Sequence, residues 1–216
     1  MSEKKKTSEE LRERMVQEQL IQRGIREERI LNVFRKVPRH LFLPSRLHSH
    51  AYEDHPLEIG FDQTISQPYI VALMVECLRL KGQEKVLEVG TGSGYQTALL
   101  AELASSVFTI ERIPSLASEA KGRLEAFGYH HVFFKIGDGS LGWPQAAPFD
   151  GMLVSCAAKE PPQPLLSQLK EGGVLVIPLG GALKQTVTVV QKKGEGWISQ
   201  EVCPCLFVPL IQGKPL

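Results

Sequence analysis

A glycine-rich loop offers the clearest chemistry in the sequence. The stretch VLEVGTGSGYQTALLAEL begins at Val86 and places Gly90, Gly92 and Gly94 between an apolar run and a helical pattern. Glycines at such a junction let a ligand approach the backbone and leave N–H groups of the helix start free to bind it. The spacing differs from the dinucleotide fingerprint G-x-G-x-x-G, and a tight turn between strand and helix would also explain it.

Three acidic residues near predicted strand ends narrow the choice of ligand. Glu88 precedes the loop and could bind an ammonium group or form a salt bridge with a neighbouring lysine or arginine. Glu111 ends the next strand, where it could accept both hydroxyls of a ribose or simply face solvent. Asp138 lies in a G-D-G turn, where it could accept from an adenine amino group or only complete the turn.

Together these residues predict a site for an adenosine that carries an amino acid. S-adenosylmethionine has a ribose, an adenine and an ammonium group and lacks a pyrophosphate, whereas NAD has a pyrophosphate and lacks the ammonium group. The sequence has G-x-G-x-G where the dinucleotide fingerprint has G-x-G-x-x-G, and Glu88 could bind an ammonium group. Both features favour a methyltransferase over a dehydrogenase. We expect no metal site.

Few features of the sequence identify the methyl acceptor. The segment VSCAAKEPPQP, after the fourth core strand, has no N-P-P-Y-like cluster, and Cys156 is interpreted as a packed thiol. The six histidines are scattered, so none stands out as a general base. A carboxylate acceptor is already ionised at pH 7 and needs no base, so alignment and electrostatic support would be the main catalytic effects.

The elements that must position these residues alternate between strand and helix. Strands are predicted at 85–90, 106–111, 132–137, 149–156 and 173–179, with an antiparallel closing pair at 184–194 and 199–210. This order implies an α/β fold with a doubly wound, mostly parallel sheet.

Helices and a long loop precede the sheet. Helical patterns run from Ser8, taken as the N-cap, to Gly24, and then over REERILNVFRKVP and PYIVALM. The proline-rich segment 39–63 is expected to be an ordered loop that folds over the ligand. We expect a single domain over 1–216, in which 1–10 form a disordered tail, 11–80 a lid and 81–216 the core.

Composition is ordinary for a globular protein, with 43% hydrophobic and 23% charged residues and a net charge of +1. The overall charge is therefore too small to attract nucleic acid or anionic lipid electrostatically. No signal-peptide pattern and no membrane-spanning apolar run is present, and the four cysteines lack zinc-like pairing. We expect a cytoplasmic monomer with reduced thiols that binds neither nucleic acid nor membrane.

Over nearly the whole chain beyond residue 10, the sequence resembles the protein-L-isoaspartate O-methyltransferase family, its bacterial form in particular. The resemblance is carried by QTISQPYIVALM (63–74), the glycine loop, GDG (137–139), LKEGGVLVIPLG (169–180) and FVPL (207–210). The T-I-S-Q-P-Y segment is far more specific to the family than the glycine loop, which many methyltransferases share.

The resemblance implies a Rossmann-like methyltransferase with a seven-stranded sheet. Its activity would be transfer of a methyl group from S-adenosylmethionine to the free carboxylate of L-isoaspartyl residues in damaged proteins, which starts repair. It implies that Ser66 is the active-site serine, for which helix N-capping is the alternative, and that Val208, Pro209 and Leu210 help to bind the peptide. The cofactor residues implied by the resemblance are Thr64, Ile65, Glu88, Gly90, Gly92, Glu111, Arg112, Asp138 and Gly139.

Two other functions remain open at this point. The same fold could methylate a small-molecule carboxylate or hydroxyl, or it could be a binding module that retained the nucleoside site. The segment from Gly151 to Cys156 departs from the family pattern, which concerns details of the wall near the methyl donor.

Overall fold

The computed structural model describes residues 6–213, and its N-terminal part is mostly helical. Helix α1 (Ser8–Met15) begins with a capping box: Thr7 Oγ1 accepts from the Glu10 N–H, and the Glu10 carboxylate accepts from the Thr7 N–H. The predicted N-cap at Ser8 is therefore wrong by one residue, and 8–10 are helical rather than a disordered tail. Residues 1–5 of that predicted tail lie outside the described residues.

The predicted loop at 39–63 contains regular structure. After α2 (Glu28–Lys36) come two short 3-10 turns and then a hairpin of β1 (Leu57–Gly60) and β2 (Gln63–Ile65). Phe61 and Asp62 form its two-residue turn, both with φ of 55°. That left-handed conformation usually calls for Asn or Gly, so the turn carries no sequence signal of a hairpin.

Helix α3 (Pro68–Cys77) leads into the central sheet. The strands of this sheet and the helices between them are, in chain order, β3 (Lys85–Val89), α4 (Tyr95–Leu103), β4 (Ser106–Glu111), α5 (Pro114–Ala126), β5 (Val132–Ile136), β6 (Phe149–Val154), α6 (Gln163–Ser167), β7 (Leu169–Gly180), β8 (Gln185–Lys193) and β9 (Gly196–Cys205).

The seven strands lie in the order β5-β4-β3-β6-β7-β8-β9. The first five are mutually parallel, while β8 runs antiparallel to both β7 and β9. This confirms the predicted doubly wound sheet with its antiparallel closing pair. The chain winds outward from β3 to β5 and then returns to β6, so β3 and β6 flank the topological switch point, where ligands of open α/β sheets bind.

The core has two parts, one on each face of the sheet. One contains α1 to α4 with residues such as Phe34, Phe42 and Leu99, and the other contains Leu87, Phe149 and Leu165 near α6. Because both faces are covered, the central strands are almost continuously apolar, as is usual for parallel sheets.

Two predicted boundaries are wrong in the C-terminal part. Strand β7 begins at Leu169 rather than at 173, and β9 ends at Cys205 instead of continuing to 210. Cys205 pairs with Gln185, the first residue of β8, so the next residues have no ladder partner. They leave the sheet and cross the end of β6. Across the described part of the chain, no helix is long and apolar enough to cross a membrane.

Candidate active site

The glycine loop lies at the switch point, directly after β3. Gly90 has φ of 93°, and a Cβ atom added there would lie 3.4 Å from Cβ of Ser155, the first residue after β6. The Ser155 N–H donates to the carbonyl of Val89 at 2.9 Å. That distance is an ordinary van der Waals contact, so it is the positive φ rather than lack of space that calls for glycine at position 90.

A cavity of about 300 Å³ opens beside this loop, and we call it the glycine-loop cavity. It is lined by Gly90, by Glu111 and Arg112 at the end of β4, and by Gly139. Asp62 and Gln63 of the hairpin turn close another side of it, which supports the expectation that segment 39–63 covers the ligand.

The Glu111 carboxylate is held in one orientation by three backbone N–H groups. Gly92 donates to Oε2 at 2.8 Å, while Arg112 and Ile113 donate to Oε1 at 2.7 and 3.0 Å. A carboxylate has about four acceptor positions, so one stays available for a ligand hydroxyl. This placement at the cavity wall fits the predicted contact with a ribose and excludes a side chain that faces solvent.

Gly139 and Asp138 take different parts in the site. A Cβ atom on Gly139 would lie 2.3 Å from Cγ1 of Val89, so only glycine fits between the cavity and the end of β3. Asp138 instead caps a short turn: its Oδ1 accepts from the N–H and hydroxyl of Ser140, and its Oδ2 accepts from the Gly213 N–H at 2.7 Å. Although partial burial opposes ionisation, these hydrogen bonds lower the pKa of Asp138. Its side chain lines a neighbouring cavity rather than the glycine-loop cavity.

Glu88 does not face the ligand crevice, contrary to prediction. Its carboxylate is fully buried beneath the glycine loop, where Gln96 Nε2 donates to Oε1 at 2.9 Å. The hydroxyls of Thr97 and Thr109 donate to Oε2 at 2.5 and 2.7 Å. Neither the expected ammonium contact nor a salt bridge with lysine or arginine accounts for this residue. Three neutral donors satisfy it instead, and they tie β3 to α4 and β4.

Burial raises the pKa of Glu88 to about 7, although the hydrogen bonds from Thr97, Thr109 and Gln96 oppose that rise. Glu88 therefore supports the loop from below rather than binding a ligand directly.

Ser66 lies in a second cavity, of about 220 Å³, which we call the serine cavity. Thr64, Ser155 and Phe207 also line it. The capping alternative for Ser66 is not supported, because α3 has Gln67 at its N-cap position and no side-chain hydrogen bond there. Among residues 6–213 the Ser66 hydroxyl has no hydrogen-bond partner, so it is available to a ligand in the cavity.

A small inner cavity of about 40 Å³ shares lining residues with both of these cavities. It is lined by Thr64, Ile65 and Ser66 on one side and by Gly90 and Gly92 on the other. The structure thus brings the T-I-S segment and the glycine loop together, as predicted from the resemblance.

Arg39 holds the backbone of Ser66. It is completely buried, with Nη2 donating to the Ser66 carbonyl at 2.9 Å and Nε donating to the Ala51 carbonyl at 2.8 Å. Its guanidinium carbon lies 5.1 Å from the centre of the Tyr95 ring, within the range of a cation–π contact. Burial lowers the pKa of Arg39 to about 10, so the side chain still carries its charge at neutral pH.

The segment 207–210 forms the wall between the two larger cavities. Ala157 makes two backbone hydrogen bonds with this segment. The Ala157 N–H donates to the Val208 carbonyl, and the Ala157 carbonyl accepts from the Leu210 N–H. Val208 lines both cavities, while Pro209 and Leu210 line the glycine-loop cavity.

Cys156 remains a packed thiol in the structure. Burial raises its pKa to about 12, so it is protonated at neutral pH and is not a nucleophile.

Sequence reasoning missed three participants of the site: Arg39, Gln96 and Ser155. Gln96 is a polar residue within the apolar pattern of α4, and Ser155 directly follows a strand at the switch point, so both carried a weak signal. Arg39 carried none, because its role depends on contacts with segments distant in the chain.

The residues at the glycine-loop cavity fit a nucleoside. A fixed carboxylate at Glu111 suits a hydroxyl donor, and Gly139 keeps space that any side chain would fill. The N–H groups of the three loop glycines are not free as expected, because they donate to the Ile110 carbonyl, the Glu111 carboxylate and the Thr91 carbonyl. The adjoining serine cavity offers neutral hydroxyls, which suit an oxyanion that must keep its nucleophilicity.

Comparisons with known proteins agree with this geometry. A family model described as protein-L-isoaspartate(D-aspartate) O-methyltransferase matches residues 10–215. Protein-L-isoaspartate O-methyltransferase 1 of Syntrophobacter fumaroxidans is 52% identical over 200 residues, which cover 93% of this chain and 94% of that protein. The enzyme of Dictyoglomus thermophilum named protein-L-isoaspartate O-methyltransferase is 51% identical over 201 residues, with coverage of 93% and 91%.

A solved structure of a protein named protein-L-isoaspartate O-methyltransferase has the same fold. It superimposes with a TM-score of 0.84 at 29% identity, covering 94% of this chain and 67% of its own.

Proposed function

The chain belongs to the protein-L-isoaspartate(D-aspartate) O-methyltransferase family, and from this premise we propose which of its residues perform each part of the reaction. The enzyme transfers a methyl group from S-adenosylmethionine to the free carboxylate of L-isoaspartyl residues in damaged proteins and peptides, which initiates repair. Relatives about half identical over most of the chain thus decide against the two other functions considered from the sequence.

We propose that the glycine-loop cavity holds the methyl donor. Glu111 would accept from one ribose hydroxyl at its remaining acceptor position, Gly90 and Gly92 would contact the donor through their backbone, and Gly139 and Arg112 would border the adenine. When bound, S-adenosylmethionine supplies a methyl carbon on a sulfonium, to which a carboxylate oxygen bonds as the carbon–sulfur bond breaks and its electron pair stays on sulfur. Thr64 and Ile65 would adjoin the donor from the inner cavity.

The acceptor carboxylate is assigned to the serine cavity. Ser66 would donate a hydrogen bond to one carboxylate oxygen and leave the other directed toward the glycine-loop cavity. A hydroxyl orients the anion without neutralising it, whereas a cationic clamp would lower its nucleophilicity. No proton needs to be removed, because the acceptor is ionised at neutral pH.

The exposed segment 206–210 would bind the peptide that carries the isoaspartyl residue. It borders the serine cavity, and its outer edge is not part of the sheet. Main-chain recognition of this kind suits an enzyme that acts on damaged sites in many sequences. Val208, Pro209 and Leu210 are the residues assigned to this contact.

The proposal extends to the whole protein as a cytoplasmic monomer of one domain that binds neither nucleic acid nor membrane. Its four cysteines are unpaired, and the net charge of +1 favours no polyanionic partner.

The single observation that supports the assignment of the residues is that Ser155 lines both larger cavities and also the inner cavity, beside the T-I-S segment. Methyl transfer to an isoaspartyl peptide, compared with the otherwise identical aspartyl peptide, tests the activity. We expect base-labile methylation of the isoaspartyl peptide alone. Equal methylation of both peptides would overturn the proposal.

A further inference from the structure

We propose that Ser155 is a second hydroxyl donor to the substrate carboxylate, and that Gln96 and Glu88 orient it for this role. The proposal rests on the proposed function, because it assigns a further residue to the same reaction. Ser155 would act together with Ser66 in the serine cavity.

The position of Ser155 is the first argument. It follows β6 at the switch point and lines the glycine-loop cavity, the serine cavity and the inner cavity. It is thus on the boundary that the methyl group must cross. Ser66 lines two of the same cavities, so the two serines border one shared space.

The second argument is the direction of the hydrogen bonds. Gln96 Nε2 donates to Ser155 Oγ at 2.7 Å and to Glu88 Oε1 at 2.9 Å. When the Glu88 carboxylate is ionised, turning the amide over would place its oxygen against that carboxylate, so ionised Glu88 determines which end of Gln96 faces Ser155.

It follows that Ser155 Oγ is an acceptor toward Gln96 and that its O–H proton points elsewhere. Within residues 6–213 no protein group accepts that proton. A hydroxyl in this state is a donor to the cavity and suits a carboxylate, whereas an ammonium group would need an acceptor. Donation from Gln96 also polarises the hydroxyl and strengthens the bond that it can make.

Two hydroxyl donors can fix the orientation of the substrate carboxylate, whereas one donor cannot. A single hydrogen bond from Ser66 leaves a carboxylate free to rotate about that bond. A second donor fixes the plane of the carboxylate and directs one oxygen toward the methyl group.

The test compares Ser155→Ala with Ser155→Thr, which keeps the hydroxyl, and with Ser167→Ala as a control at an exposed hydroxyl on α6. Calorimetry would measure S-adenosylhomocysteine binding and then binding of an isoaspartyl peptide to the S-adenosylhomocysteine complex, beside kcat/KM for methylation. We expect Ser155→Ala to weaken peptide binding and to lower kcat/KM by about 10- to 100-fold. The affinity for S-adenosylhomocysteine should change less than twofold, and Ser155→Thr should recover most of the loss.

A Ser155→Ala variant with unaltered peptide affinity and kcat/KM would overturn the inference, as would one that loses only S-adenosylhomocysteine affinity. Either result leaves the proposed function intact if the wild-type enzyme still distinguishes the isoaspartyl from the aspartyl peptide. Failure of Ser155→Thr to recover activity would assign the loss to packing and also contradict the proposal.

A second variant tests the orienting residue. Gln96→Met removes the amide at similar volume, and it should weaken peptide binding in the wild-type background but hardly at all in Ser155→Ala. Additive losses would show that Gln96 does not act through Ser155.

Discussion

Within residues 6–213 the Ser66 hydroxyl has no hydrogen-bond partner, and Ser66 lines the cavity assigned to the acceptor. At this position a hydroxyl can stabilise the carboxylate only through a single hydrogen bond to a charged group. We expect Ser66→Ala to lower kcat/KM for an isoaspartyl peptide by about 10- to 100-fold with little change in S-adenosylhomocysteine affinity. Initial-rate kinetics and calorimetry measure the two effects. An unaltered rate would mean that Ser66 is not catalytic.

Glu88 makes stability depend on pH. Burial raises its pKa from 4.5 to about 7, so the folded protein binds its proton more tightly than the unfolded chain. The stabilisation by the protonated form is complete below pH 4.5 and is lost as the pH rises through 7. Between pH 5 and pH 8 this loss amounts to roughly 2 to 3 kcal/mol.

Glu88→Gln removes this titration. Relative to the wild-type protein, the variant should therefore gain roughly 2 to 3 kcal/mol of unfolding free energy between pH 5 and pH 8. Urea denaturation at the two pH values measures the difference, and Glu195→Gln, at an exposed turn residue, is the control. A difference independent of pH would contradict the raised pKa.

Gly139 determines how much space the donor has. A methyl group there would lie 2.3 Å from Val89 Cγ1, so the wall of the glycine-loop cavity would have to shift. We expect Gly139→Ala to weaken S-adenosylhomocysteine binding at least tenfold and to destabilise the protein by about 1 to 3 kcal/mol.

Gly122→Ala is the matched control for Gly139→Ala. It lies within α5, where an added Cβ meets no atom within 4 Å, and alanine should stabilise the helix by about 0.5 to 1 kcal/mol. Calorimetry and urea denaturation of both variants make the comparison, and equal donor affinity in the two would contradict the role of Gly139.

At the scale of elements, Arg39 joins the first 3-10 turn to the strand end that carries Ser66. Its two donors reach the carbonyls of Ala51 and Ser66, which are twelve and twenty-seven residues away along the chain. Because the fork of the guanidinium makes both bonds, a lysine ammonium with the same charge cannot replace it.

We expect Arg39→Lys to lower the unfolding free energy by about 2 to 4 kcal/mol, since at least one buried carbonyl loses its donor. It should also lower kcat, because the Ser66 backbone is no longer held. Arg46→Lys, at an exposed residue of the next 3-10 turn, is the control and should change neither quantity. If Arg39→Lys had the wild-type unfolding free energy and the wild-type kcat, the hydrogen bonds from Arg39 to Ala51 and Ser66 would contribute to neither stability nor catalysis.

At the scale of the whole molecule, parts of the chain that are far apart in sequence enclose one ligand site. The hairpin turn supplies Asp62 and Gln63, the sheet supplies Glu111, and the C-terminal segment supplies Val208 to Ile211. A ligand that contacts all three should make their opening less frequent and stabilise the folded state by mass action.

We therefore expect S-adenosylhomocysteine at a hundred times its Kd to stabilise the protein by about 2.7 kcal/mol. Hydrogen exchange should slow at 57–65 and 207–211 and stay unchanged in the turn at 193–196, which lies outside the cavity. Equal exchange at 57–65 with and without the ligand would contradict the proposed lid.

Much of the fold follows from local patterns. Strand–helix alternation, the glycines after β3 and the acidic residue at the end of β4 predict the doubly wound sheet and the nucleoside site, because periodicity and turn chemistry act within a few residues. The hairpin at 57–65 was not predicted because its turn consists of Phe61 and Asp62, two residue types that do not indicate a left-handed backbone. The end of β9 escaped it because that end is determined by where β8 begins.

Only the tertiary structure decided what Glu88 does and which serine and threonine residues line the serine cavity. Glu88, Gln96 and Ser155 belong to three different elements, and their network exists because β3 and β6 are neighbours at the switch point. The sequence by itself determined that a carboxylate is present in the buried strand. Whether it meets a ligand, an arginine or neutral donors depends on side chains brought close by strand order and helix packing, which no local pattern encodes.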